Sequence, residues 1–331
     1  MIHSFDYPQL AADALPAARA YSKIAPDSPH ALHMPSHIFT RLGLWQDSIF
    51  SNLASADAGR RLAAKRHPGT TSMDTLHALD YLEYGYLQIG DDVAARGVLA
   101  EASATKAIDD PAFQAGYALA AIPARFALER HDWKSAAQLE PPTATLPWEN
   151  FPYALATTYF AQAIGASNVG NLDRARTALQ KIQVIQEGLQ KKPIPGPYDW
   201  SRQVESTRLA AAAWLAYAEG RKENALETAR NAAALEEETG KHPVTPGAPL
   251  PARELLGDML IEMGRSAEAL DAYEASLREA PNRFNSLYGA ARAAQRSQNM
   301  ERSRVLYKTL LAQCVADSSR PELAEARNAT Q

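Results

Sequence analysis

The sequence predicts an all-α protein, a right-handed α-solenoid of about seven helical hairpins. Three observations carry that reading. Apolar residues make up 46% of the chain and aromatic residues only 8%, with alanine running through most segments, which suits closely packed helices better than sheets. Stretches with the apolar spacing of a helix alternate with short loops rich in Pro and Gly. Residues that suit a tight interhelical turn recur at Gly43, Gly90, His131, Gly170, Gly220, Gly264 and Gln298, at spacings of 47, 41, 39, 50, 44 and 34. Stacked hairpins need no domain break, so the 331 residues read as one elongated array over 1–314. Within it, 1–140 are rich in histidine, 141–240 are irregular in length and 241–314 are the most regular; 315–331 read as a flexible tail.

In chain order the pattern places helices at Leu10–Ile24, Ala31–Leu42, Trp45–Lys65, Asp74–Ile89 and Asp91–Lys106. Pro35 pushes the start of the second of these toward Met34. Ala112–Arg130 and Trp133–Leu139 follow, and Pro123 should bend the first of them or shift its start. PPTATLPWENFP at 141–152 is a long irregular connection. Tyr153–Val169 and Asp173–Gln190 come next, then the linker KKPIPGPYDW at 191–200, then Trp200–Glu219 and Lys222–Thr239. KHPVTPGAPLP at 241–251 leads into a last pair of hairpins, closed by Phe284–Ser297 and Met300–Cys314.

The segment 252–281 shows the unit most clearly. Leu256, Gly257 and Leu260 stripe its first helix, and Gly264 ends that helix where positive φ is cheap. Ala269, Tyr273 and Ser276 form a small-large-small face on the second helix, which Pro281 stops. This resembles the tetratricopeptide repeat (TPR), a 34-residue helical hairpin. Nearly the whole chain is similar to a group of bacterial TPR-containing proteins. The likeness is carried by ALHMPSHIFTRLGLW at 31–45, KHPVTPGAPLPARELLGDML at 241–260 and PNRFNSLYGAARAA at 281–294. It implies the fold and carries no reaction. Members have a further His-containing segment before the stretch matching IHSFDYP, here replaced by Met1.

A net charge of −4 and the absence of any long cationic run argue against a nucleic-acid partner. No apolar run reaches membrane-spanning length, and the single Cys314 excludes an internal disulfide. There is no GxSxG, P-loop or dinucleotide fingerprint. MIHSFDYPQL has no signal-peptide pattern, so the chain as written reads as cytoplasmic. Pro26, taken as the closing proline of a repeat, puts Met1 inside a hairpin; a lost upstream segment would make the protein periplasmic or secreted.

The resemblance supplies a register in which positions 2, 5, 9 and 12 of each first helix line the concave groove. Those positions are His30, His33, His37 and Thr40 in one repeat, and His77, Asp80, Tyr84 and Leu87 in the next. In the partial first repeat, His3 and Asp6 take positions 9 and 12, so five of the eight histidines share one expected surface. His33 and His37, four apart, present their imidazoles on one helical face, a spacing that can chelate a divalent ion such as zinc. His3 and His77 are further candidate ligands, and Asp6 and Asp80 could ligate or fix a histidine tautomer. As a catalytic set, His33, His37 and Asp80 could serve as general acid and base, in a metal-dependent or histidine-based hydrolase. The plain structural alternative is that His30 caps its helix and His33 packs beside Met34.

His242, Arg253, Glu254, Arg283 and Asn285 gather near the last loops, where Arg with Asn could grip a carboxylate, although a surface ion pair of Arg253 or Glu254 is the simpler reading. Tyr84, Trp214, Tyr217 and Tyr288 are candidate groove contacts, with core packing the alternative for Trp214 and Tyr217. The leading functional expectation is a scaffold that binds a peptide or partner protein in its concave groove. A metal-binding protein or metal-dependent hydrolase is the second, and an oligomerisation module is the third.

Overall fold

Side chains in the sequence satisfy the free N–H groups where helices begin. In the computed structural model, which describes residues 2–21 and 23–331, Ser28, Ser72, Asp91, Asp132, Asn171, Asp199 and Asn299 each accept from a backbone N–H in the turn that follows. A 3-10 turn, Ile2–Phe5, precedes α1 (Ala11–Tyr21). The next three helices are α2 (Pro29–His33), α3 (Pro35–Arg41) and α4 (Trp45–Arg66). Hairpins then follow as α5 (Met73–Gln88) with α6 (Asp92–Ser103), α7 (Phe113–Leu128) with α8 (Trp133–Ala137), and α9 (Pro152–Asn168) with α10 (Leu172–Lys191). After them come α11 (Trp200–Ala218) with α12 (Lys222–Thr239), α13 (Ala252–Glu262) with α14 (Ser266–Glu279), and α15 (Phe284–Arg296) with α16 (Met300–Gln313). A last helix, α17, covers Pro321–Thr330. No strand occurs among the described residues; a lone bridge joins Thr71 to Ile108.

Each hairpin packs on the next, and the first helices α5, α7, α9, α11, α13 and α15 also touch their successors, so they form the inner layer of a helical-repeat solenoid. All seven expected turn residues have positive φ, between 51° and 81°, including the non-glycines His131 and Gln298. Tyr273 shows how neighbouring repeats lock. Its ring fills the space that a Cβ would need at both Gly257 and Gly289, 2.7 and 2.4 Å from the ideal positions. The expected 31–42 helix is divided at Pro35, and Met34 keeps helical angles of −48° and −41° between the two parts. α7 runs on through Pro123.

Two expectations are corrected. The stretch 315–331, read as a flexible tail, carries α17, because Leu323 and Ala326 make an apolar stripe that buries completely and Arg320 pairs with Asp92. The body is also not elongated, because its last repeats return to its first. Trp45 Nε1 donates to Asn282 O (2.9 Å), the Phe284 N–H to Gln88 Oε1 (2.8 Å) and the Val315 N–H to Ile89 O (2.9 Å). Gln313 bridges Gln88 O and Asn282 O, and Ser318 Oγ donates to Gly90 O. The accessible surface is 14309 Å² for 36.0 kDa. An ordinary compact monomer of that mass exposes about 13,000 Å², so little surface is spent on an open groove. The expectation for a chain beginning inside a hairpin rests on Met1, which lies outside the described residues.

Candidate functional site

The closure changes what the groove positions face. His33 and His37 lie four residues apart across Met34, so α2 and α3 turn both imidazoles to the same side, where α5 brings His77 and, one turn on, Tyr81. His33 and His37 approach Nε2 to Nε2 at 3.1 Å. His33 Nδ1 meets Asn52 Oδ1 of α4 at 2.6 Å, and His37 Nδ1 meets Asp6 Oδ2 at 3.2 Å and the Tyr81 hydroxyl at 2.9 Å. The His77 ring lies 4.1 Å from that of His33, and the His3 ring 4.4 Å from that of His37, between centroids. One nitrogen each from His33, His37 and His77 falls within 4.8 Å of the others, and the same holds for His3, Asp6 and His37.

The segment 241–251 lies over this cluster. Tyr81 donates to Val244 O at 3.1 Å, and Lys241 Nζ reaches Asp6 Oδ2 at 2.6 Å while Arg41 holds the other carboxylate oxygen at 3.1 Å. Burial holds His33 and His77 well below the ordinary imidazole pKa, with neighbouring imidazoles adding to it. Burial also takes His37 down to about 4, against the pull of Asp6. For Asp6, burial pushes upward, but Lys241, His37 and Arg41 overcome it and keep the group a carboxylate. At neutral pH the cluster is therefore three neutral imidazoles beside a carboxylate.

The other expected site residues divide. His30 is exposed and outside the cluster. Asp80 is turned the other way, paired with Arg125 of α7 rather than with an imidazole, so it joins a separate buried charge network. There Glu83 lies 3.7 Å from Arg125, neither carboxylate oxygen makes a hydrogen bond among the described residues, and burial raises its pKa far above the carboxylate range. Tyr84 accepts from Arg283 (2.9 Å), which also holds Glu254 (3.0 and 3.1 Å) and Glu129 (2.8 Å). Asn285 donates to Glu129. The carboxylates that Arg283 and Asn285 grip are thus the chain's own, and the ion pair is fully buried rather than superficial. Arg253 pairs with Glu237, Tyr288 donates to Glu325, and Trp214 packs in the core against Tyr217.

What remains open on the concave side is a pocket of about 140 Å³. Tyr117, Tyr198, Trp200 and His242 wall it, with Glu236 and Glu279 on its lining. Trp200 stacks on Tyr153 (4.0 Å between centroids) and on His242 (5.0 Å), which fixes its ring. Asn52, Tyr81, Lys241 and Arg125 are the residues that sequence reasoning passed over. Asn52 and Arg125 did leave a signal, since an asparagine inside a helix and a lone arginine in an alanine-rich one each need a partner.

No protein-family model matches the chain, and no curated protein matches it. Among solved structures, the chain is similar to a tetratricopeptide repeat protein from Parabacteroides merdae, at 13% identity over 90% of this chain and 98% of that one, with a TM-score of 0.41. It is also similar to the TPR domain of P58(IPK), at 13% identity over 96% and 93% of the two chains, with a TM-score of 0.31. The hairpin stacking described above stands on this chain's own helix order and turns.

Proposed function

We propose that the protein is a helical-repeat binding protein that takes a short peptide segment in the pocket beside α11 and the 241–251 segment. The observation that carries this is the fixed aromatic wall of Tyr198, Trp200 and His242 lining a recess beside the 241–251 segment. Aromatic rings held by their neighbours bury much apolar surface at small entropic cost, which suits them to anchor a side chain. An extended peptide along the groove of the first repeats would meet the chain's own residues 241–251, so the ligand enters as one or two residues rather than a long strand.

Charge narrows the segment. The cations on the lining, Arg41, Lys241 and Arg253, are already paired with Asp6 and Glu237, whereas the carboxylate of Glu279 is exposed. An apolar or aromatic side chain next to a Lys or Arg fits that lining. Titrating the full chain with short peptides of this pattern, followed by tryptophan fluorescence, tests the reading. Binding that weakens about tenfold or more in Trp200→Ala and in Glu279→Lys, with helix content unchanged, is expected for a central aromatic anchor and its charged neighbour. Affinity unaltered in both variants would remove the pocket as the binding site.

A further inference from the structure

We propose that His33, His37 and His77 bind one divalent first-row transition-metal ion inside the first repeats, where the ion clamps α2 and α3 to α5. The assignment follows from where the protons must be. Asn52 Nδ2 donates to Ser48 O at 2.8 Å, which leaves Asn52 Oδ1, an acceptor only, facing His33 Nδ1 at 2.6 Å. His33 therefore carries its proton on Nδ1. On His37, Nδ1 faces the buried Asp6 carboxylate at 3.2 Å, and a carboxylate can only accept. His37 is the Nδ1–H tautomer too.

Two bare Nε2 lone pairs then face each other at 3.1 Å in a buried site. Lone pairs at that distance repel unless a cation lies between them. A proton is a poor choice, because it would set a positive charge among buried imidazoles with Lys241 and Arg41 close by. A metal ion answers the same demand with its charge spread over several ligands. Zinc–nitrogen bonds of about 2.0–2.1 Å in a tetrahedron place the nitrogens about 3.3 Å apart, close to the observed separation. A His77 nitrogen lies within 4.8 Å of the other two and completes the third edge of the site. The His77 ring packs against the His33 ring, 4.1 Å between centroids, on the side where the two lone pairs meet.

The remaining parts are those of a built site. Asp6 and Asn52 orient His37 and His33 from behind, as outer acceptors do for metal-bound imidazoles. An all-imidazole set selects zinc, copper, nickel or iron over magnesium or calcium. Tyr81, Lys241 and the 241–251 segment close the top, so the ion is an internal clamp.

The test uses the full chain, stripped with chelator and titrated with ZnCl2, CoCl2, NiCl2 and CuCl2 while bound metal is counted by elemental analysis. One ion per chain is expected, with cobalt giving the intense visible bands of a four-coordinate site and metal raising the melting temperature. Asn52→Leu, which leaves every ligand in place, should weaken zinc binding by about 10–100-fold, and His33→Ala/His37→Ala should abolish it. If the double variant does not fold, the wild-type cobalt spectrum and Asn52→Leu still decide. No stoichiometric uptake of any of the four ions by the folded wild type, or uptake unchanged in Asn52→Leu and in the folded double variant, would overturn the proposal.

Discussion

Replacing Arg283 with Met tests the closure of the solenoid where it is most concentrated. The Arg283 guanidinium is fully buried and sits between Tyr84 of the second hairpin, Glu129 beyond α7 and Glu254 of α13. Removing one partner of a buried ion pair costs about 3–5 kcal/mol, mostly because the other charge is left without compensation. Here two carboxylates are left. A chain of 331 residues unfolds with an entropy of about 0.7 kcal/mol/K at about 2.1 cal/mol/K per residue. The melting temperature should therefore fall by about 4–7 °C in calorimetry at neutral pH. The deficit should shrink on acidification, since burial already raises the Glu129 pKa and protonating it removes a stranded charge. Adding Glu254→Leu should recover part of the loss, as expected for residues in one network. A fall of less than about 1 °C, or strictly additive effects in the double variant, would refute the claim that this arginine holds first and last repeats together.

Further outcomes follow from the same geometry. Gly257→Ala sets a Cβ 2.7 Å from the Tyr273 ring, an overpacking that costs about 1–3 kcal/mol and should appear as a lower melting temperature with unchanged helix content. Burial pushes Glu236 up to about 7 from its ordinary 4.5, so the folded chain keeps a proton that the unfolded chain has released in that window. Wild type thus loses stability from this group as pH rises through the window, and Glu236→Gln does not. The melting temperature of Glu236→Gln minus that of wild type should increase between about pH 5 and pH 7.5; a constant difference would contradict the assignment.

The hairpins were legible because their signals are local. A turn needing positive φ announces itself at Gly43 or Gly264, and even at His131 and Gln298 the spacing of the array betrays it. Pro35 marked a helix boundary for the same reason, and the i, i+4 spacing of His33 and His37 fixed their common face. The closure was not legible, since it depends on the curvature accumulated over all the hairpins. Asp80 shows the consequence. It was read as a groove-lining residue that could serve a histidine, yet it is buried against Arg125 of the next hairpin, which no spacing within α5 reveals. Glu254 and Arg283 were read as neighbours on the groove face, but only the return of the last repeats against Tyr84 and Glu129 makes their pair a buried one. In 315–331 the polar composition hid the Leu323 and Ala326 stripe, whose burial depends on α16 beside it.

Small-angle X-ray scattering of the full chain in dilute solution tests the closed solenoid most directly. A compact chain of 331 residues has a radius of gyration of about 20 Å. The account predicts a monomer value close to that figure, rising in Arg283→Met as the end repeats part. A wild-type value several ångströms larger, with the long-tailed distance distribution of an open rod, would contradict it.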